Sequence, residues 1–276
     1  MPLPRPQPVL VKGKGKAAEA LRTEIDASPL LLVANQAEIC VEVQDGRFVF
    51  LLGERPLGAV RFSGFRPDRK ARDTLEHLAG YLNVLNLAIP NNRLGLEIDV
   101  ELKRLSQAAT KDKPGQTEPL SVENEAVLLA NGRNLVIDVT NRSQVPLYIY
   151  VLDLDEEIRL APLHPASGYG KPAKPGEVVS IGYGPDIVIT FTTLKGQKES
   201  IDDLLIFGSV NPIDPAPLML PALGEKRLVV NDLFGTGSRL DRDLRTALTG
   251  QVPDAATALD PQDSWILLRR AVLVRR

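Results

Sequence analysis

Apolar residues recur along this chain with two different periods. Between residues 37 and 43, Ile39, Val41 and Val43 alternate with Glu38 and Glu42, the two-residue period of a half-buried strand. Asp45-Gly46 follows, a pair that tolerates the positive φ of a tight hairpin, and Phe48–Leu52 returns as the partner strand. From Asp68 to Leu85 the period lengthens. Ala71, Leu75, Leu78, Leu82 and Leu85 fall three or four apart, which predicts a helix with one apolar face. A shorter helix is predicted from Ala17 to Asp26, on Ala17, Leu21 and Ile25. Alternation then resumes in its cleanest form: Leu94, Leu96, Ile98, Val100 and Leu102 are interleaved with Gly95, Glu97, Asp99, Glu101 and Lys103.

Beyond residue 119 the pattern is one of short strands and frequent turns. Strands are predicted at Ala126–Ala130, Asn134–Thr140, Leu147–Leu154, Glu157–Pro162, Glu177–Gly182, Ile187–Thr193, Leu204–Val210, Arg227–Val230 and Ser264–Val274. Turn residues at Asn131-Gly132, Asn141-Arg142-Ser143, Pro175-Gly176 and Lys195-Gly196 separate them. The expected fold class is therefore mainly β: a C-terminal immunoglobulin-like β-sandwich preceded by a smaller α+β unit. Residues 1–16, with four prolines and then alternating Lys and Gly, read as a flexible linker. The α+β unit is expected over 17–105, with its helix at 68–85. A second linker is expected over 106–119, where periodicity disappears. The sandwich is expected over 120–276, with an irregular segment at 235–263, holding one helical turn near Leu240–Leu248, and a final strand.

Composition narrows the function classes. A formal net charge of −2 over 276 residues argues against a general nucleic-acid binder, which needs surplus Lys and Arg. The basic residues near each end (Lys12, Lys14 and Lys16; Arg269, Arg270, Arg275 and Arg276) read as solvated positions. With one cysteine, Cys40, no intramolecular disulfide can form. No apolar run has the length of a signal peptide or a membrane span, so the expectation is a cytoplasmic chain without membrane partners.

Val139–Asp214 carries a further signal. It contains VTNRSQVPLYIYVLDLDEEIRLAPLHP, then VVSIGYG, then IDDLLIFGSVNPIDPAPL. This order resembles the β-sandwich appended to the protease domain of microbial caspase-like and CHAT-type proteins. There an Asn-Arg-Ser turn precedes a "PLY-Y-L-D" strand, a proline loop and a "GYG" segment follow, and a hydrophobic strand ends in "PID" or "PVD". Leu75–Leu102 is similar to a helix-then-strand element that precedes the sandwich in bacterial members, although Pro90 sits one place before the Asn expected to precede it. The two segments cover about half the chain. The resemblance implies a non-catalytic accessory or regulatory module with a protein partner, a caspase-like or CHAT-type peptidase, in prokaryotic stress or defence signalling. The alternative is a fragment or subunit of a caspase-like cysteine peptidase that is active only when assembled.

Candidate chemistry is sparse. A cysteine peptidase needs a thiolate and a histidine base brought together, but Cys40 lies inside an alternating strand, predicted outward beside Glu42. His77 reads as a packed helix residue and His164 as part of a Pro-Leu-His-Pro loop. No catalytic residue, cofactor site or metal site is expected. Asp153, Asp155, Glu156 and Glu157 cluster and could attract Ca²⁺, but Asp155-Glu156-Glu157 reads as a solvated hairpin turn between two strands. Gly168-Tyr169-Gly170 and Gly182-Tyr183-Gly184 lack the Lys-Ser/Thr of a phosphate loop, and Gly235-Thr236-Gly237-Ser238, which could cradle an anion on backbone N–H groups, reads as a flexible loop. The one local lead is Tyr148 and Tyr150. They share the strand face opposite Leu147, Ile149 and Val151, and are expected outward as a protein-contact patch.

Overall fold

The structure, a computed structural model, describes residues 6–87, 92–107, 115–166, 168–183, 188–225, 238–250 and 263–276. It is mainly β, as the alternating patterns require. The chain divides into two units. Unit 1 comprises Met1–Leu87, Leu220–Val229 and Arg242–Ala255; unit 2 comprises Ala88–Met219, Val230–Asp241 and Ala256–Arg276.

Unit 1 is built on a five-stranded sheet. Its strands are β1 (Gln7–Lys12), β2 (Leu31–Val33), β3 (Ile39–Gln44), β4 (Arg47–Leu52) and β5 (Arg55–Arg61), in the order β2-β1-β3-β4-β5. Helix α1 (Lys16–Asp26) connects β1 to its parallel neighbour β2, and buries Ala18, Leu21 and Ile25. The hairpin β3–β4 turns at Asp45-Gly46, with φ values of 49° and 70°, the positive values that such a pair tolerates. Helix α2 (Pro67–Leu85) begins with proline at its first turn, where the missing N–H costs nothing. It packs on α1, and Arg72 pairs with Glu24 at 2.8 Å. The chain returns to this unit with the body of α3 (Arg239–Thr249), where Leu244, Ala247 and Leu248 are buried. Asn83, buried on α2, accepts a hydrogen bond from Gln7 Nε2 at 2.6 Å and donates to the Ala247 carbonyl at 3.1 Å.

Three sequence expectations change here. Residues 7–12 are not linker: β1 lies between β2 and β3, and its QPVLVK run buries Val9 and Val11. Prolines at positions 6 and 8 mask a strand signal that the valines carry. The segment from 239 to 249 is a three-turn helix rather than one turn. Cys40 does not face solvent; Ile39, Cys40 and Val41 are all buried, because both faces of β3 are covered at that end.

Unit 2 contains two sheets. The first uses β6 (Ile98–Gln107), β7 (Gln116–Pro119), β10 (Asn134–Asn141), β14 (Val178–Ile181) and β15 (Ile189–Thr190), in the order β14-β10-β6-β7 with β15 also on β10. The second uses β8 (Val122–Glu123), β9 (Ala126–Ala130), β11 (Leu147–Leu154), β12 (Leu160–His164), β13 (Pro172–Ala173), β16 (Glu199–Ser209) and β17 (Trp265–Arg275). Its order is β12-β11-β16-β17-β9-β8, with β13 also on β11. All described pairs in this unit are antiparallel except β9–β17. Ile98, Leu102, Leu135, Ile137 and Val139 from the first sheet join Leu147, Ile149, Val151, Leu204, Ile206, Val272 and Val274 from the second in one apolar cluster.

The division between units therefore falls after Leu87 rather than at 106–119. The strand at 98–107 has the alternation expected of it, but its partner is β10, paired from Ile98 to Arg104, and β7 occupies the end of the expected linker. Residues 108–114 lie outside the described residues, as do the expected strand at 227–230 and most of the expected irregular segment. The predicted strand at 157–162 begins only at Leu160, because Asp155–Arg159 forms the turn.

Candidate functional site

The expected contact patch is not a surface. Leu147, Ile149 and Val151 do face the cluster between the sheets, so Tyr148 and Tyr150 share the opposite face as predicted. Yet Tyr150 is fully buried, and Tyr148 is half-buried. The Tyr150 hydroxyl accepts a hydrogen bond from the Ile213 backbone N–H at 2.7 Å and donates to the Tyr169 carbonyl at 3.2 Å. Burial raises its pKa above the ordinary phenol range. Phe207, its cross-strand neighbour, meets Trp265 with ring centroids 6.0 Å apart. Around Tyr150, Phe207 and Trp265 the second sheet of unit 2 is thus covered on both faces. The near-continuous apolar run LYIYVL was the available signal, since one-sided strands alternate and two-sided ones do not.

Other motif residues of Val139–Asp214 hold local structure. Asn141, fully buried, donates through Nδ2 to the Val145 and Ala173 carbonyls at 2.9 Å each, and its Oδ1 accepts from the Ser143 N–H at 2.9 Å. Asp214 Oδ1 accepts from the N–H groups of Gly168 and Ala216. At Gly182, φ is +81° and a Cβ would stand 2.4 Å from the Leu135 carbonyl oxygen, so glycine is needed there for packing rather than for a ligand. Gly184 and residues 235–237 lie outside the described residues.

Cys40 and His77 sit on different elements of unit 1, β3 and α2, and His164 belongs to unit 2. Burial pushes the Cys40 thiol up and opposes the thiolate a nucleophile needs; the nearby Lys12 acts the other way but less strongly. Burial also disfavours the protonated form of His164. Among the described residues, no group of three or more His, Cys, Asp or Glu side chains is placed to hold a metal ion.

The carboxylates around Asp153 form a more structured arrangement than a solvated turn. Asp153 follows Leu147, Ile149 and Val151 at the same two-residue spacing, so it takes the next core-facing position of β11. On β16, Ser200 and Asp202 stand in line with Leu204 and Ile206, whose side chains join the core. Polar groups thus occupy the end of the inward face on two adjacent strands. They line a recess of about 110 Å³, with Asp155 and Arg159 from the β11–β12 turn and Phe191 and Leu194 from the segment after β15.

Asp155, Glu156 and Glu157 form the expected turn, and Asp155 closes it. Its Oδ1 accepts from the N–H groups of Glu157 and Arg159 at 2.9 and 3.1 Å, and its Oδ2 accepts from Arg159 Nε at 2.7 Å. Asp153, Ser200 and Asp202, with exposures of 8%, 3% and 6%, lie on the strands rather than in the turn. Asp153 Oδ1 and Ser200 Oγ have no hydrogen-bond partner. Burial, reinforced by the charges of Asp202 and Asp155, pushes the Asp153 carboxyl up to about 8. Burial, with Asp155 and Glu156, pushes Asp202 up to about 7. Two acids that ionise reluctantly thus stand beside an unpaired hydroxyl. Comparison with protein families, curated proteins and solved structures finds no match to this chain.

Proposed function

We propose that the chain is a non-catalytic, protein-binding accessory module of a caspase-like peptidase system, and that unit 2 carries its binding site. The observation that carries this reading is the recess at the end of the unit 2 core. Buried polar atoms without partners stand there, on residues in line with aliphatic residues of the same strands. Leaving such a group unsatisfied costs about 1–3 kcal/mol, and a ligand that supplies hydrogen-bond partners offsets that cost. The likeness of Val139–Asp214 to the sandwich that accompanies caspase-like and CHAT-type protease domains supplies the biological context. The contact surface moves accordingly, from Tyr148 and Tyr150 to the strand ends around Asp153 and Asp202.

The test is co-expression of the full chain with a caspase-like peptidase of the same organism, followed by size-exclusion chromatography. Co-elution that is weakened by D202N supports the module. Hydrolysis of Arg-, Lys- or Asp-directed peptides by the isolated chain, abolished in C40A, overturns it in favour of a peptidase.

A further inference from the structure

We propose that the recess in unit 2 binds a guanidinium group, the head of an arginine side chain presented by a protein partner; the inference rests on the reading of unit 2 as a protein-binding module. Its acceptors come from two neighbouring strands, Asp153 on β11 and Ser200 and Asp202 on β16. Ser200 is evidence separate from the acidic cluster. Its hydroxyl is neutral and more than nine-tenths buried, yet Oγ meets no partner within the protein. Asp153 Oδ1 is in the same condition. Buried polar atoms are almost always paired, and these two unpaired ones belong to residues that line one recess.

The spread of these acceptors selects the donor. Neighbouring strands lie about 4.8 Å apart, and residues two apart on one strand are about 6.7 Å apart. A calcium ion must meet its oxygens at about 2.3–2.6 Å from a single centre, and no such group exists among the described residues. A guanidinium instead carries five N–H donors around a rigid plane and reaches acceptors on several sides at once. An ammonium is a compact point charge and spans them less well. The recess volume of about 110 Å³ is that of about four waters, similar to the bulk of a four-atom guanidinium head. Phe191 and Leu194 supply an apolar wall suited to the methylene stem of an arginine.

Charge agrees with shape. Asp153 and Asp202 line the interior, and Asp155, Glu156 and Glu157 complete the acidic lining. Arg159 is the cation among the lining side chains, and Asp155 already holds it at 2.7 Å. The Asp153 and Asp202 carboxyls retain protons near neutrality because burial and mutual repulsion oppose ionisation. A bound guanidinium takes the place of those protons, so its affinity rises between pH 6 and 8.

The experiment titrates N-acetyl-arginine amide into the full chain and follows backbone amide shifts by NMR. Parallel titrations use N-acetyl-lysine amide, the neutral citrulline amide and calcium chloride. The arginine amide is expected to saturate below about 50 mM, with the lysine amide weaker by about tenfold and citrulline inert. D202N and S200A are both expected to abolish or weaken binding while circular dichroism stays unchanged, so a folding failure of one variant leaves the other decisive. Equal binding of citrulline, saturation by calcium in competition with the arginine amide, or no saturation by the arginine amide each overturns the inference. If the amide fails but D202N still weakens co-elution with the peptidase, the guanidinium assignment falls and the module stands. If the amide binds without any co-elution, the guanidinium site stands and the peptidase-module reading falls.

Discussion

Replacing Asp153 with Asn keeps the side chain's shape and removes its ionisation. In the wild type the folded state holds the Asp153 proton until about pH 8, whereas an aspartic acid in the unfolded chain loses it near 3.8. The stability this group contributes is therefore full below the lower value and drains away as pH rises through the higher one. At about 1.4 kcal/mol per tenfold change, the loss between pH 5 and pH 9 is at most about 4 kcal/mol. Water entering the recess and local relaxation reduce this to about 2 kcal/mol. Asp202, raised less, adds a smaller fall in the same direction. His164 opposes it near and below pH 6.5, because burial favours its neutral form. Glu118 and Glu123, held low by Arg104 and Arg275, change stability only below this window. The assay is urea unfolding of the full chain at pH 5, 7 and 9, read from the fluorescence of Trp265, the single tryptophan, buried in unit 2. Urea is used because guanidinium salts would compete for the recess. Asp153→Asn is expected to be more stable than wild type at pH 9 and to lose most of the pH slope. Parallel slopes in the two proteins, or a wild type that gains stability from pH 5 to 9, would refute the reasoning.

Four further outcomes are expected. Tyr150→Phe leaves the Ile213 N–H without its acceptor and should cost about 1–3 kcal/mol in the same urea assay. Gly182→Ala places a Cβ against the Leu135 carbonyl at an unfavourable φ; it should destabilise unit 2 by about 1–3 kcal/mol or more, visible as a lower urea midpoint. Deleting residues 1–12 removes β1 from the interior of its sheet, so unit 1 should become susceptible to trypsin within its own strands, whereas loss of a mere linker would leave it resistant. Cys40→Ala should change stability by only about 0.5–2 kcal/mol and leave peptidase co-elution unaltered.

The sequence pattern was most legible where one face of an element is wet. The β3–β4 hairpin, α2 and β6 all show their periods plainly, because solvent demands polar residues on the other face. It misled where both faces are covered. Tyr150 alternates with the core residues of β11, and alternation alone places it outward; only the scarcity of polar residues in LYIYVL tells that the outer face is buried too. β6 shows a second kind of loss. Its alternation is right, but periodicity carries no information about the partner strand, and β6 pairs with β10 in unit 2. The recess was readable in principle. Asp153, Ser200 and Asp202 occupy positions that the flanking aliphatics assign to the core, and a charge at a core position is a conflict between local pattern and fold. Nearness to Asp155, a true turn residue, disguised it.

The pairing of β17 with β9 has a kinetic consequence. Ala271 lies beside Ala126, 145 positions away along the chain, whereas β16 and β17 run antiparallel over eleven residue pairs. Bringing such distant segments together costs about 3 kcal/mol more in chain entropy than closing a five-residue turn. The AVLLA stretch of β9 therefore waits, with its inner edge open, until the last strand docks. Refolding of unit 2 should be slow for its size, and concentrated refolding should favour strand exchange between copies of the chain at this edge over correct closure.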